Sequence, residues 1–119
     1  MKALLIQTDH VVKQIEVDGH LKSMQDAVGG MIEYLPLTDN AHAYIDEEGK
    51  LKGKKVNVMA TMLCRKLNIG LAPDDMIVGD MLILGSLNKK GDRDGEEHDV
   101  PSSLLPAFSK IIGQMIETL

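Results

Sequence analysis

Residues 57–70, NVMATMLCRKLNIG, carry a helix with both of its ends marked. Asn57 is a natural N-cap, because its side-chain oxygen can accept from the free amides of a first turn, and Gly70 supplies the left-handed residue on which helices commonly stop. The spacing predicts a helix from 58 to about 68. At 100° per residue Met59, Leu63 and Leu67 share one face, widened by Ala60 and Cys64 on one side and by Val58 and Met62 on the other. Most of its circumference is apolar, so the rest of the chain must cover it.

Asn57, Thr61, Arg65 and Asn68 fall in one narrow sector of that helix, with Lys66 alone on the opposite side. Such a stripe either meets bulk water, as the polar face of most helices does, or lines a pocket. It begins where a lysine-rich segment ends: four of the seven residues 50–56 are lysine. Ammonium, amide, hydroxyl and guanidinium together suit an anionic ligand. Lys50, Lys52, Lys54, Asn57, Thr61 and Arg65 are therefore candidate ligand-binding residues. Asp80, beside Gly79 in an apolar run, joins them as a candidate functional carboxylate, although a hydrogen-bonded aspartate at a bulge fits the same pattern.

The flanking segments define the fold class. Residues 2–8 and 11–17 read as two strands of a hairpin around Thr8-Asp9-His10. Leu21, Met24, Ala27 and Val28 recur at helical spacing before Gly29-Gly30 stops the helix. Residues 31–37 and 41–46 form two more strands, with Pro36 placing the first at an edge or bulge and Asp46 to Gly49 forming a hairpin turn. Residues 76–84, MIVGDMLIL, are the most continuously apolar strand and belong in the middle of the sheet. Residues 86–100 are glycine-rich and charged, the composition of a mobile loop. From Leu104 to Leu119 apolar residues repeat at three- and four-residue steps, a last helix that either covers the sheet or packs on a second copy. The expectation is an α+β fold: one mostly antiparallel sheet with about three helices on one face, in the order strand-strand-helix-strand-strand-helix-strand-helix. Two successive strand-strand-helix units hint at a duplication.

A chain of 119 residues is one domain, 1–119. Its formal net charge of −5 argues against sequence-independent nucleic-acid binding, and two tyrosines and one phenylalanine leave little for base stacking. No segment approaches the ~20 apolar residues of a membrane span. Cys64 is the only cysteine, so no disulfide forms within the chain, which suits a reducing cytoplasm. The four histidines are scattered, and the acidic residues of 92–97 lack calcium-loop spacing, so no metal or cofactor is expected.

The pattern E-G-K-L-K-G-x-x-V-N-x-x-A-T over 48–61, followed by I-V-G-D over 77–80, resembles a small family of bacteria, phages and plasmids, domain of unknown function 3846. The opening K-A-L-L-I, E-V-D-G-x-L and V-G-G-M-I-E-Y-L-P-L fit the same family. The resemblance implies a phage or mobile-element origin, a compact domain, and Asn57, Ala60, Thr61, Gly79 and Asp80 as positions of interest. It carries no catalytic residues.

Two functions follow as expectations. In the first, a non-enzymatic, oligomeric phage protein in the host cytoplasm sequesters a small nucleotide-type signal to counter host defence. In the second, it is an adaptor or inhibitor of a host protein, acting through the carboxy-terminal helix or the acidic loop. An enzyme is not expected, because no phosphate loop, nucleophile elbow or acid–base pair stands at recognisable spacing.

Overall fold

The computed structural model of the protein describes residues 1–86, 97–101 and 110. Five strands and two helices alternate as β1 (Lys2–Ile6), β2 (Val12–Glu16), α1 (Leu21–Val28), β3 (Ile32–Thr38), β4 (Ala41–Asp46), α2 (Val58–Lys66) and β5 (Met81–Gly85). The strands form one sheet in the order β2-β1-β5-β4-β3. Every neighbouring pair is antiparallel. The α+β class and the central place of the last strand are thus as the sequence implied. The third helix expected within 102–119 lies, Lys110 apart, outside the described residues, as do residues 87–96 of the expected loop.

The helices do not share a face. Leu4, Ile6, Ala43, Met81 and Ile83 pack with Met59, Ala60, Leu63 and Cys64 of α2. Ala3, Leu5, Tyr44, Leu82 and Leu84 point the other way and pack with Met24 and Val28 of α1. Successive strand side chains alternate between faces, so a strand buried at consecutive positions must be covered on both. Residues 3–6 and 81–84 are such strands, and their unbroken apolar runs already carried this information. The duplication hint also fails, because the inner strand is the first of one hairpin (β1) and the second of the other (β4).

Two local expectations are corrected. The turn after β4 leads into no further strand: residues 47–53 stay in consecutive turns, with Lys52 N–H donating to Glu48 O at 2.9 Å and Lys54 N–H to Gly49 O at 3.0 Å. The apolar run 76–84 becomes strand only at Met81, because Gly79 takes φ +77° and turns the chain. Val78 instead makes an isolated bridge to Val56.

Glu47 N–H donates to Met31 O at 2.8 Å. By antiparallel alternation Glu33 and Leu35 then also face β4, and Ile32, Tyr34 and Pro36 turn their backbone groups outward. Pro36, which has no N–H, therefore costs no ladder bond, and a register shift follows it. At the opposite end of the sheet, residues 98–100 fit between the diverging ends of β1 and β5. His98 and Gly85 exchange backbone bonds, Val100 N–H donates to Lys2 O at 2.9 Å, and Lys2 N–H donates to Asp99 Oδ1 at 2.7 Å.

Candidate functional site

The lysine segment folds around an anion of its own. Asp46, the last residue of β4, has a fully buried side chain whose Oδ2 accepts from Lys52 Nζ at 2.9 Å and Lys54 Nζ at 2.7 Å. Its Oδ1 accepts from the N–H of Glu48 at 2.9 Å. Burial alone would push this carboxyl up; the hydrogen bonds from Lys54, Lys52 and Glu48 overcome that and hold it at about 2. Lys54 also donates to the carbonyls of Val28 at 3.3 Å and Gly29 at 3.2 Å, the open carbonyl end of α1. A Cβ on Gly30 would sit 2.6 Å from both Asp46 Oδ2 and Lys52 Nζ, so a larger residue there would have to push the ion pair aside. Lys50 pairs with the carboxylate of Asp75, whose pKa that contact lowers.

The polar stripe of α2 is likewise engaged inside the protein. Asn57 is wholly buried: its Nδ2 donates to Ile6 O and to Gly79 O, each at 2.9 Å, and its Oδ1 accepts from Ala60 N–H at 3.0 Å. Thr61 Oγ1 donates to Asn57 O at 2.8 Å and accepts from Ile77 N–H at 2.8 Å. Arg65 lies on the surface, where its guanidinium donates to the carbonyls of Asp75 at 2.6 Å, Pro73 at 3.1 Å and Ala72 at 3.4 Å. Asp80 Oδ1 accepts from Thr8 N–H at 3.1 Å. The seven candidates thus fall into three groups: Lys52 and Lys54 on Asp46, Lys50 and Arg65 around Asp75, and Asn57, Thr61 and Asp80 tying α2 and residues 77–80 to β1.

Beside the first two groups lies a cavity of about 420 Å³, on the α2 side of the sheet where that short helix does not reach over β3. Leu35 and Ile45 from the sheet meet Ile69, Leu71, Met76 and Ile77 from the connector after α2, with Leu51 at the mouth. Leu51 is 88% exposed and Met76 41%. Lys50, Asp46 and Asp75 reach the cavity wall, so of the sequence candidates only Lys50 borders it. Glu33 and Glu47 also line it, exposed and without an ion pair among the described residues.

A second polar cluster escaped sequence reasoning. On the α1 face, His42 Nε2 lies 2.5 Å from Glu97 Oε2, His42 Nδ1 contacts Ser86 Oγ, and the Tyr44 hydroxyl donates to Glu97 Oε1. The His42 and Glu97 side chains are 4% and 5% exposed. The rings of Tyr34, His42 and Tyr44 pack together with centroids 5.2–5.9 Å apart. Hydroxyl, imidazole and carboxylate follow one another as in a nucleophile–base–acid set. The backbone N–H groups of Gly85 and Ser86, however, already donate to His98 O and Asn40 O, so neither can receive an oxyanion. The cluster acts as a clasp holding residues 97–100 on the sheet. Its signal was the register of the β3–β4 hairpin, which sets Tyr34 opposite Tyr44 and Pro36 opposite His42.

Residues 1–100 match the model of a family described as Domain of unknown function (DUF3846). No curated protein and no solved structure matches the chain. Among the described residues no helix is long and apolar enough to cross a membrane, and no group of three or more His, Cys, Asp or Glu could hold a metal ion.

Proposed function

Because the chain belongs to this family of unknown function, we propose that it is a non-enzymatic binding module acting by capture at the cavity beside Lys50. The carrying observation is the cavity itself: about 420 Å³, a wall that mixes apolar side chains with charged ones, and exposed apolar side chains at its mouth. Two kinds of captive fit. A nucleotide-type anion, sequestered by a phage or mobile-element protein to counter host defence, draws support from Lys50 on the wall and from Lys52 and Lys54 behind Asp46. It requires those cations to exchange Asp75 and Asp46 for phosphate. A host protein, blocked by an adaptor or inhibitor, draws support from the apolar part of the wall and from the exposed Glu33 and Glu47, which have no ion pair among the described residues. The second is the reading favoured, since it leaves every internal ion pair in place.

The test is methyl-resolved NMR on the protein exposed to host lysate split by ultrafiltration. Capture of a protein shifts the methyl signals of Leu35, Ile45, Leu51 and Met76 with the high-mass fraction. Shifts with the low-mass fraction, abolished by Arg65→Ala or Lys52→Ala, transfer the assignment to the anion. Silence of these methyls with both fractions refutes capture at the cavity.

A further inference from the structure

We infer that the cavity receives an arginine and an adjoining aliphatic side chain of a partner protein, with the guanidinium held between Glu33 and Glu47. This rests on capture at the cavity and specifies the captive. The two carboxylates come together through the register of the β3–β4 hairpin. Glu33 pairs with Ile45, and the Glu47 N–H reaches Met31 O, so Glu47 lies two residues beyond Ile45 on the same side of the ladder. Diagonal neighbours of this kind stand roughly 7–8 Å apart. Both glutamates line the cavity, and both are exposed.

The other two carboxylates of the wall are already matched. Asp46 holds Lys52 and Lys54, and Asp75 holds Lys50. Glu33 and Glu47 have no ion pair among the described residues. Like charges at their separation repel one another, and a cation placed between them turns that repulsion into two attractions. An ammonium is a compact point charge. A guanidinium is planar and presents five donors in a fork, so it can donate to both carboxylates at once, which selects arginine. The aliphatic stem of that arginine and the side chain next to it then meet Leu35, Ile45, Ile69 and Leu71.

A partner protein suits the cavity better than a small cation or another part of this chain does. Leu51 is 88% exposed and Met76 41%, and only a body that extends past the cavity mouth can cover them. Within residues 101–119 the one basic residue is Lys110, which is exposed and makes no ion pair among the described residues, so it does not sit between the glutamates. A second copy would bring a net charge of −5 toward two more negative charges. Charge therefore selects a basic partner over self-association.

The probe is a short acetylated and amidated peptide with leucine and arginine adjacent at its centre, between glycines and serines, added to the full chain. It should shift the methyl signals of Leu35 and Ile45. Replacing its arginine with citrulline, which keeps the shape and removes the charge, should weaken binding by at least about ten-fold, and lysine should fall between the two. Glu33→Gln and Glu47→Gln, shown to be folded by an unchanged urea midpoint, should each weaken the arginine peptide and lose the shifts that the high-mass lysate fraction gives in the unaltered chain. Equal binding by the citrulline peptide, or lysate capture that survives both substitutions, overturns the arginine site but keeps capture at the cavity. Methyls silent to the peptides and to lysate remove both. Shifts given by the low-mass fraction alone and abolished by the two substitutions assign the glutamates to a small cation and overturn the partner protein. Nuclear Overhauser contacts from Ile111 or Ile112 to the Leu35 methyls in the free protein give the cavity to residues 102–119. A dimer in sedimentation that the two substitutions dissociate gives it to a second copy, and either result overturns the proposal.

Discussion

Replacing Asp46 with asparagine tests whether the lysine segment is held by its internal carboxylate. The folded-state pKa of Asp46 is about 2 against an ordinary 3.8. That depression corresponds to at most about 2.4 kcal/mol of stability at neutral pH. Lys52 is 41% exposed and Lys54 25%, so water screens part of the attraction and about 1–2 kcal/mol is the expected loss in Asp46→Asn. The sign follows from the direction of the shift. A carboxyl depressed on folding contributes fully above its unfolded pKa, and that contribution is lost as pH falls from about 3.8 through about 2. Urea unfolding of both proteins across pH 2–7 should show a gap that is flat down to about pH 4.5 and shrinks to about one sixth by pH 2. A gap below about 0.3 kcal/mol at pH 7, or one that does not change with pH, would show that the lysines do not hold Asp46 in this way.

Asn57→Ala removes one capping acceptor and leaves the buried carbonyls of Ile6 and Gly79 without their donor, for a loss of about 3 kcal/mol or more in urea unfolding. Gly85→Ala places a Cβ 2.0 Å from Asp99 O, so residues 98–100 must leave their seat; stability should fall by about 2–3 kcal/mol and the Val100 amide should lose its exchange protection. Burial raises the Cys64 thiol to about 11, so at pH 8 thiol reagents should leave the native protein untouched and label it fully once unfolded by urea.

Local order was largely legible in the sequence, and long-range order was not. The hairpins and α1 followed from turn residues and periodicity, which act over a few residues. Pro36 marked an edge correctly because a missing donor is tolerated only there. The start of β5 was misplaced because apolar side chains at 76–78 serve the cavity and the core as well as they would serve a strand, and hydropathy does not register the positive φ at Gly79. The two-sided covering of the sheet is encoded in the unbroken apolar run of residues 3–6, whereas the periodicity of the helices does not say which face each one covers. At the candidate site the residue types drew attention to the right segment. The partner that engages Lys52 and Lys54, however, is Asp46, which in the sequence reads as the end of a strand and the start of a turn. A cation's availability to a ligand depends on what the fold has already set beside it, and spacing does not report that.

The place of β5 bears on how the chain is made. The last described strand lies between β1 and β4, so no ladder joins the first hairpin to the second until residues 81–85 have emerged. During synthesis the two hairpins wait as separate ribbons, each with the inner edge of β1 or β4 unpaired and one apolar face uncovered. Assembly of the sheet is therefore a late, single event. A delay before residues 81–85 emerge would prolong the exposure of those unpaired edges, and chaperone dependence should rise with such a delay.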